Sequence, residues 1–169
     1  TEPKTQISPR HLLGPAHRRR SPHLYSAAQL QQLLRRAGQL KGRLHPYTWQ
    51  TLIGVLACSG LRISEAMHLK IDDVDWKQSL LIIRKSKYGK TRLVPLHRSA
   101  IKPLRTYAQR RQDLFPFAED FFVSEGGTPL AHSTIGQTFT QLRKGIPFHR
   151  RPPRLHDLRH TMASRVLQR

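Results

Sequence analysis

Residues 79–96 read SLLIIRKSKYGKTRLVPL. Two runs rich in apolar and β-branched residues, 79–84 (SLLIIR) and 91–96 (TRLVPL), flank a polar segment, KSKYGK, that contains Gly89. Runs of this kind joined by a Gly-containing polar connection predict a β-hairpin. Strand side chains alternate between faces, so two rigid rims hold a loop of cations that can reach into a groove. Lys87, near the tip, is a compact point charge and a potential proton donor. Arg84, Lys85, Tyr88, Lys90 and Arg92 share the hairpin and are candidate polyanion contacts. Taken alone, such a loop also reads as a solvated turn whose charges protect a sheet edge.

Outward from the hairpin the pattern is helical. Ser26 reads as an N-cap, Leu30, Leu33 and Leu34 form a stripe, and Gly38 stops the helix. A second helix is predicted over 47–58, where Trp49, Leu52, Ile53, Val55 and Leu56 are too apolar to be exposed, with Gly60 ending it. A short helix follows over 63–69. Beyond the hairpin, helices are predicted over 99–111 and 133–144, while 121–124 (FFVS) reads as a short strand or a buried loop. Pro152 and Pro153 precede a last helix whose Leu158, Met162, Val166 and Leu167 fall on one apolar face. The order predicts a mostly α domain with a small antiparallel β-sheet, an α+β class, spanning 25–169. Residues 1–24 carry Pro, His and the run His17-Arg18-Arg19-Arg20, and read as a basic linker or arm.

The chain has 169 residues, enough for one domain with a real core. It begins at Thr1 and stops inside a helical pattern, so a fragment is expected at both ends. Lys and Arg number 30 against 10 acids, a net charge of +20. Such a field attracts polyanions, and nucleic acid is the first candidate partner, ahead of an anionic membrane surface, the plainer reading being a basic solubilising surface. Arg outnumbers Lys, which suits bidentate phosphate contacts. Lone Cys58, in the run TLIGVLACSG, has no internal disulfide partner and reads as a buried thiol in a reducing compartment. No apolar stretch approaches membrane-span length, and no signal peptide shows at the start.

Two further blocks carry chemistry. In Ser59-Gly60-Leu61-Arg62-Ile63-Ser64-Glu65, Gly60 permits the positive φ that ends a helix, and Arg62 enters the next helix start, where backbone N–H groups favour anions. Glu65, one turn on, can orient Arg62 or touch a water or proton; the plainer reading is a surface i,i+3 pair. Near the end, His156 and Arg159 share a helix face, with His160 beside them. Arg159 disfavours a protonated His156, leaving a neutral imidazole able to accept a proton. Reaction at phosphorus needs such proton management, and its non-bridging oxygens need Arg. His156 and His160 also have the i,i+4 spacing of zinc ligands, but Asp157 stands where the zincin pattern needs Glu, and no third ligand is evident.

Together, GLRISEA, a basic hairpin with Lys, and HDLRHT resemble the catalytic domain of the tyrosine recombinases, the phage integrase family. Arg62 and Glu65 fall in its G-L-R-x-S-E pattern. SKYGKTRLVPL aligns without gaps onto G-K-x-x-K-x-R-x-V-P-L, which puts Lys87 at the hairpin lysine. His156 and Arg159 fall on H-x-x-R, His160 on the following His, and SPHLYSAAQLQQLL resembles the domain's opening helix. The resemblance implies a catalytic set of Arg62, Glu65, Lys87, His156 and Arg159. It implies attack of a tyrosine on a DNA phosphodiester, a 3′-phosphotyrosyl intermediate and rejoining, with no metal or cofactor. The arginines would brace the phosphate, Lys87 would protonate the departing 5′-oxygen and His156 would manage the tyrosine proton. It further implies a homotetramer on paired DNA sites, in a bacterial cytoplasm and at the nucleoid. The family's nucleophilic Tyr follows H-x-x-R beyond the next helix, whereas Tyr25, Tyr47, Tyr88 and Tyr107 all precede it here. The chain as given is therefore expected to lack the nucleophile and the family's N-terminal clamping domain. The alternative is a non-catalytic DNA-binding or regulatory relic of the same fold.

Overall fold

In the computed structural model, which describes residues 21–84, 90–148 and 152–168, the element order is α1 (Ala27–Gly38), α2 (His45–Ser59), α3 (Ile63–Met67), β1 (Val74–Asp75), β2 (Leu80–Ile83), β3 (Arg92–Pro95), α4 (Arg98–Leu114), α5 (His132–Arg143) and α6 (His156–Leu167). The expected mostly α class with a small antiparallel sheet is what the chain adopts. At its centre lies α2, with Trp49, Leu52 and Ile53 fully buried and α1, α4 and α6 packed around it. A helix apolar on every side must be covered on every side.

α2 starts at His45, two residues before the sequence places it. Leu44, its N-cap, offers no side-chain acceptor. The carboxylate of Glu125 serves instead, accepting from the N–H groups of Arg43, Leu44 and His45 at 2.6, 3.0 and 2.7 Å. Desolvation works to raise the Glu125 pKa, but these three bonds and His45 outweigh it and hold the group below its ordinary range. The other end of α2 closes on Gly60, in the left-handed region at φ 64°, with its N–H on the Leu56 carbonyl at 3.3 Å. A Cβ there would stand 3.1 Å from the Met162 sulfur of α6. Glycine thus serves both the turn and the close approach of α6.

The sheet runs β1-β2-β3, antiparallel throughout. The hairpin register pairs Leu80 with Pro95, Leu81 with Val94, Ile82 with Leu93 and Ile83 with Arg92. Leu81 and Ile83 enter the core. β1 was not foreseen, because two residues carry no periodicity. The run 121–124 resolves as a buried loop with a single bridge between Val123 and Pro129. The Tyr107 hydroxyl, donating to the Phe121 carbonyl and accepting from the Val123 N–H, fixes it in place.

Two expectations are corrected. On α6, Leu158 is buried and Met162 half-buried, but Val166 and Leu167 are exposed, since no described element covers the last turn. Cys58 is exposed and not a core thiol. It stands on the wall of a groove of about 930 Å³ between α1, α2, α4 and α6, and desolvation by its surroundings raises the thiol pKa. The opening segment is tied to α6, as the Tyr25 N–H donates to Thr161 Oγ1 at 2.9 Å and Arg165 donates to the Tyr25 carbonyl at 3.2 Å. Among the described residues no helix is long and apolar enough to cross a membrane.

Candidate active site

The turn at Gly60 delivers Arg62 to the N-cap of α3, while buried Leu61 anchors the turn beneath it. Glu65, one helical turn on, folds back so that the Arg62 N–H donates to Oε2 and the Arg62 guanidinium to Oε1, both at 2.8 Å. A second guanidinium reaches the same carboxylate from the sheet. Arg92 on β3 donates to Oε1 and Oε2, again at 2.8 Å each. The Glu65 side chain is 7% exposed. Desolvation alone would raise its pKa, but the bonds from Arg92, the Arg62 amide and the Arg62 side chain win and hold it at about 2. Glu65 thus holds the Arg62 and Arg92 guanidinium groups as a carboxylate.

Arg159 arrives from α6 and donates to the Gly60 carbonyl. Desolvation lowers its pKa first, then the positive charge of Arg62, with Glu65 opposing and Arg92 adding to the depression. The Gly60 turn thus brings Arg62 and Arg159, nearly a hundred residues apart, into one electrostatic unit. Three guanidinium groups against one carboxylate leave it net positive and suited to a phosphate.

His156 opens α6, one turn before Arg159 and His160, and its ring meets that of His160 edge-on at 4.9 Å between centroids. Its pKa is lowered by desolvation first, then by His160, Arg159 and Arg154, with Asp157 opposing. The direction is that expected beside Arg159, but burial and His160 contribute more to it than Arg159 does. No group of three His, Cys, Asp or Glu among the described residues is arranged to hold a metal ion. Tyr25 and Tyr107 are buried with raised pKa values, desolvation being the largest cause, and Tyr47 lies under the Arg110 guanidinium.

The hairpin candidates divide. Lys85, Lys87 and Tyr88 lie outside the described residues. Lys90 is exposed just ahead of β3. Arg84 is bound to buried Asp73 and lines a cleft of about 720 Å³ shared with Arg62 and Glu65. Arg92, read from the sequence as a DNA contact, has its fork committed to Glu65. That pairing spans 27 residues and leaves no local signal.

A sequence model described as the phage integrase family matches residues 25–169. This chain belongs to the phage integrase family. It is 39% identical over 183 residues to y4rB of Sinorhizobium fredii, an integrase/recombinase by its name, a match covering 99% of this chain and 57% of that protein. To the tyrosine recombinase XerA of Pyrococcus horikoshii it is 32% identical over 114 residues, 66% of this chain and 38% of that one. The crystal structure of XerA recombinase superposes with a TM-score of 0.74 at 29% identity, over 89% of this chain and 52% of that chain. A lambda integrase tetramer bound to a Holliday junction superposes at 0.66 and 20% identity, over 86% and 41%, a likeness of fold. The chain spans about half the length of the curated relatives it matches.

Proposed function

We propose that this chain supplies the phosphate-activating part of a site-specific DNA recombinase that cleaves and rejoins strands through a 3′-phosphotyrosine. Convergence of Arg62 and Arg159 on the Gly60 turn, with Glu65 fixing Arg62, carries the reading. Two guanidinium groups held about one turn, close enough that Arg62 depresses the Arg159 pKa, suit the non-bridging oxygens of a phosphodiester, where negative charge grows during attack. In the proposed reaction a tyrosine oxygen, from sequence beyond these 169 residues, bonds to phosphorus as the P–O5′ bond breaks. His156 takes the tyrosine proton and Lys87 gives one to the departing 5′-oxygen. Attack by a 5′-hydroxyl of another strand reverses the step, so phosphodiester energy is kept and no metal or cofactor is needed. Lys85, Tyr88, Lys90, Arg84 and His160 contact the DNA around the site. The intact protein works as a homotetramer on paired sites in a bacterial cell, associated with its nucleoid.

The role of Lys87 has a direct chemical test in the full-length protein. A substrate with sulfur at the 5′-bridging position has a leaving group that departs without a proton. Lys87→Ala should cleave the oxygen substrate poorly and the sulfur substrate well, while Arg62→Ala and Arg159→Ala should be rescued by neither. Sulfur rescue of Lys85→Ala or Lys90→Ala, and not of Lys87→Ala, would move the general acid to that lysine.

A further inference from the structure

We infer that Arg92 is a positioning residue of this reaction, whose fork holds Glu65 in the orientation by which Glu65 holds Arg62 at the scissile phosphate. The inference rests on the recombinase reading above. It begins with the pleat of β3. Arg92 and Val94 are half-buried, while Leu93 and Pro95 are exposed. Alternation therefore turns Arg92 to the inner face, where a strand would ordinarily place an apolar side chain. Its register partner, Ile83, is buried. A slip of one residue would swing the guanidinium to the outside.

What Arg92 meets there decides its role. Each Glu65 oxygen accepts one bond from Arg62 and one from Arg92, so four donors fill the carboxylate. Arg62 lies on the same turn as Glu65 and cannot by itself anchor that turn to another element. Arg92 anchors it to the sheet. Its fork also ties β3 to the start of α3. A guanidinium with both terminal nitrogens on a buried carboxylate is spent as a phosphate contact. Lysine cannot replace it, because an ammonium is a point charge and not a planar fork.

Single-turnover cleavage by the full-length recombinase tests the inference, using Arg92→Ala, Arg92→Lys, Glu65→Gln and the Arg92→Ala/Glu65→Gln double variant, with Arg62→Ala in parallel. Thermal melts confirm that each variant is folded, and Arg92→Lys keeps the charge should Arg92→Ala fail. Misplacing a reacting group by about 1 Å costs on the order of 100-fold, so both Arg92 variants should slow cleavage by roughly 10- to 100-fold. The double variant should be no slower than Glu65→Gln alone, because both changes remove one interaction. In duplex-binding titrations, the slope of log affinity against log salt should be unchanged in Arg92→Ala and shallower by about one in Arg62→Ala. Full activity of Arg92→Lys, multiplying rate losses in the double variant, or a slope loss of about one in Arg92→Ala would overturn the inference. Undiminished cleavage by Arg62→Ala would instead overturn the recombinase reading, so the two failures are told apart.

Discussion

Glu65 and His156 show how the site divides its labour at the level of single residues. With its pKa held at about 2, below the ordinary 4.5, Glu65 stabilises the folded state fully above pH 4.5, and that contribution drains as pH falls from 4.5 towards 2. Glu65→Gln leaves Arg62 and Arg92 facing each other without their anion. It should cost about 2 kcal/mol at neutral pH, and the gap in melting temperature from the parent should narrow as pH falls through that window. A gap independent of pH would mean that Glu65 is not ionised in the folded protein. His156 has the opposite assignment. Its lowered pKa keeps the imidazole neutral below the ordinary 6.5. The acid limb of a cleavage pH profile assigned to His156 should accordingly fall below 6.5, and a limb at or above 6.5 would contradict the neutral base.

Elements take their positions from side chains remote in sequence, which sets the limit of what the sequence alone reveals. Glu125 caps α2 from eighty residues away. Glu125→Ala should destabilise the fold by about 1–2 kcal/mol, read by urea denaturation, with the largest loss of amide-exchange protection in the first turn of α2. Unchanged protection there would show that the cap contributes nothing. The central helix, the hairpin and the helix opening at His156 were legible because each has a local signature in apolar periodicity, a Gly-containing loop or Pro at a boundary. Arg62 with Glu65, and His156 with Arg159, were legible as i,i+3 pairs, weak signals singly that gained weight from the family pattern formed by the three blocks together. The start of α2 was misjudged because its cap is not a neighbour. The exposure of Val166 and Cys58 was missed because periodicity reports which face is apolar and not what covers it. The Arg92–Glu65 fork depends on strand register, which the hairpin sequence does not specify to the residue.

Across the whole molecule, helices around α2 and a three-stranded sheet bring four arginine and glutamate side chains from α3, β3 and α6 to one turn. The chain's net charge of +20 favours the approach of a polyanion. In the proposed function Arg62 and Arg159 are the chemical centre of that cluster. The central claim is that these two arginines activate a DNA phosphate for attack by a tyrosine. It is tested most directly by trapping the covalent adduct between a suicide DNA substrate and the full-length protein that carries this chain. The adduct should map to a tyrosine outside residues 1–169, and Arg62→Ala or Arg159→Ala should slow its formation by about 10²- to 10³-fold without unfolding the protein. An adduct on Tyr25, Tyr47, Tyr88 or Tyr107, or one that forms equally fast without either arginine, would contradict the account.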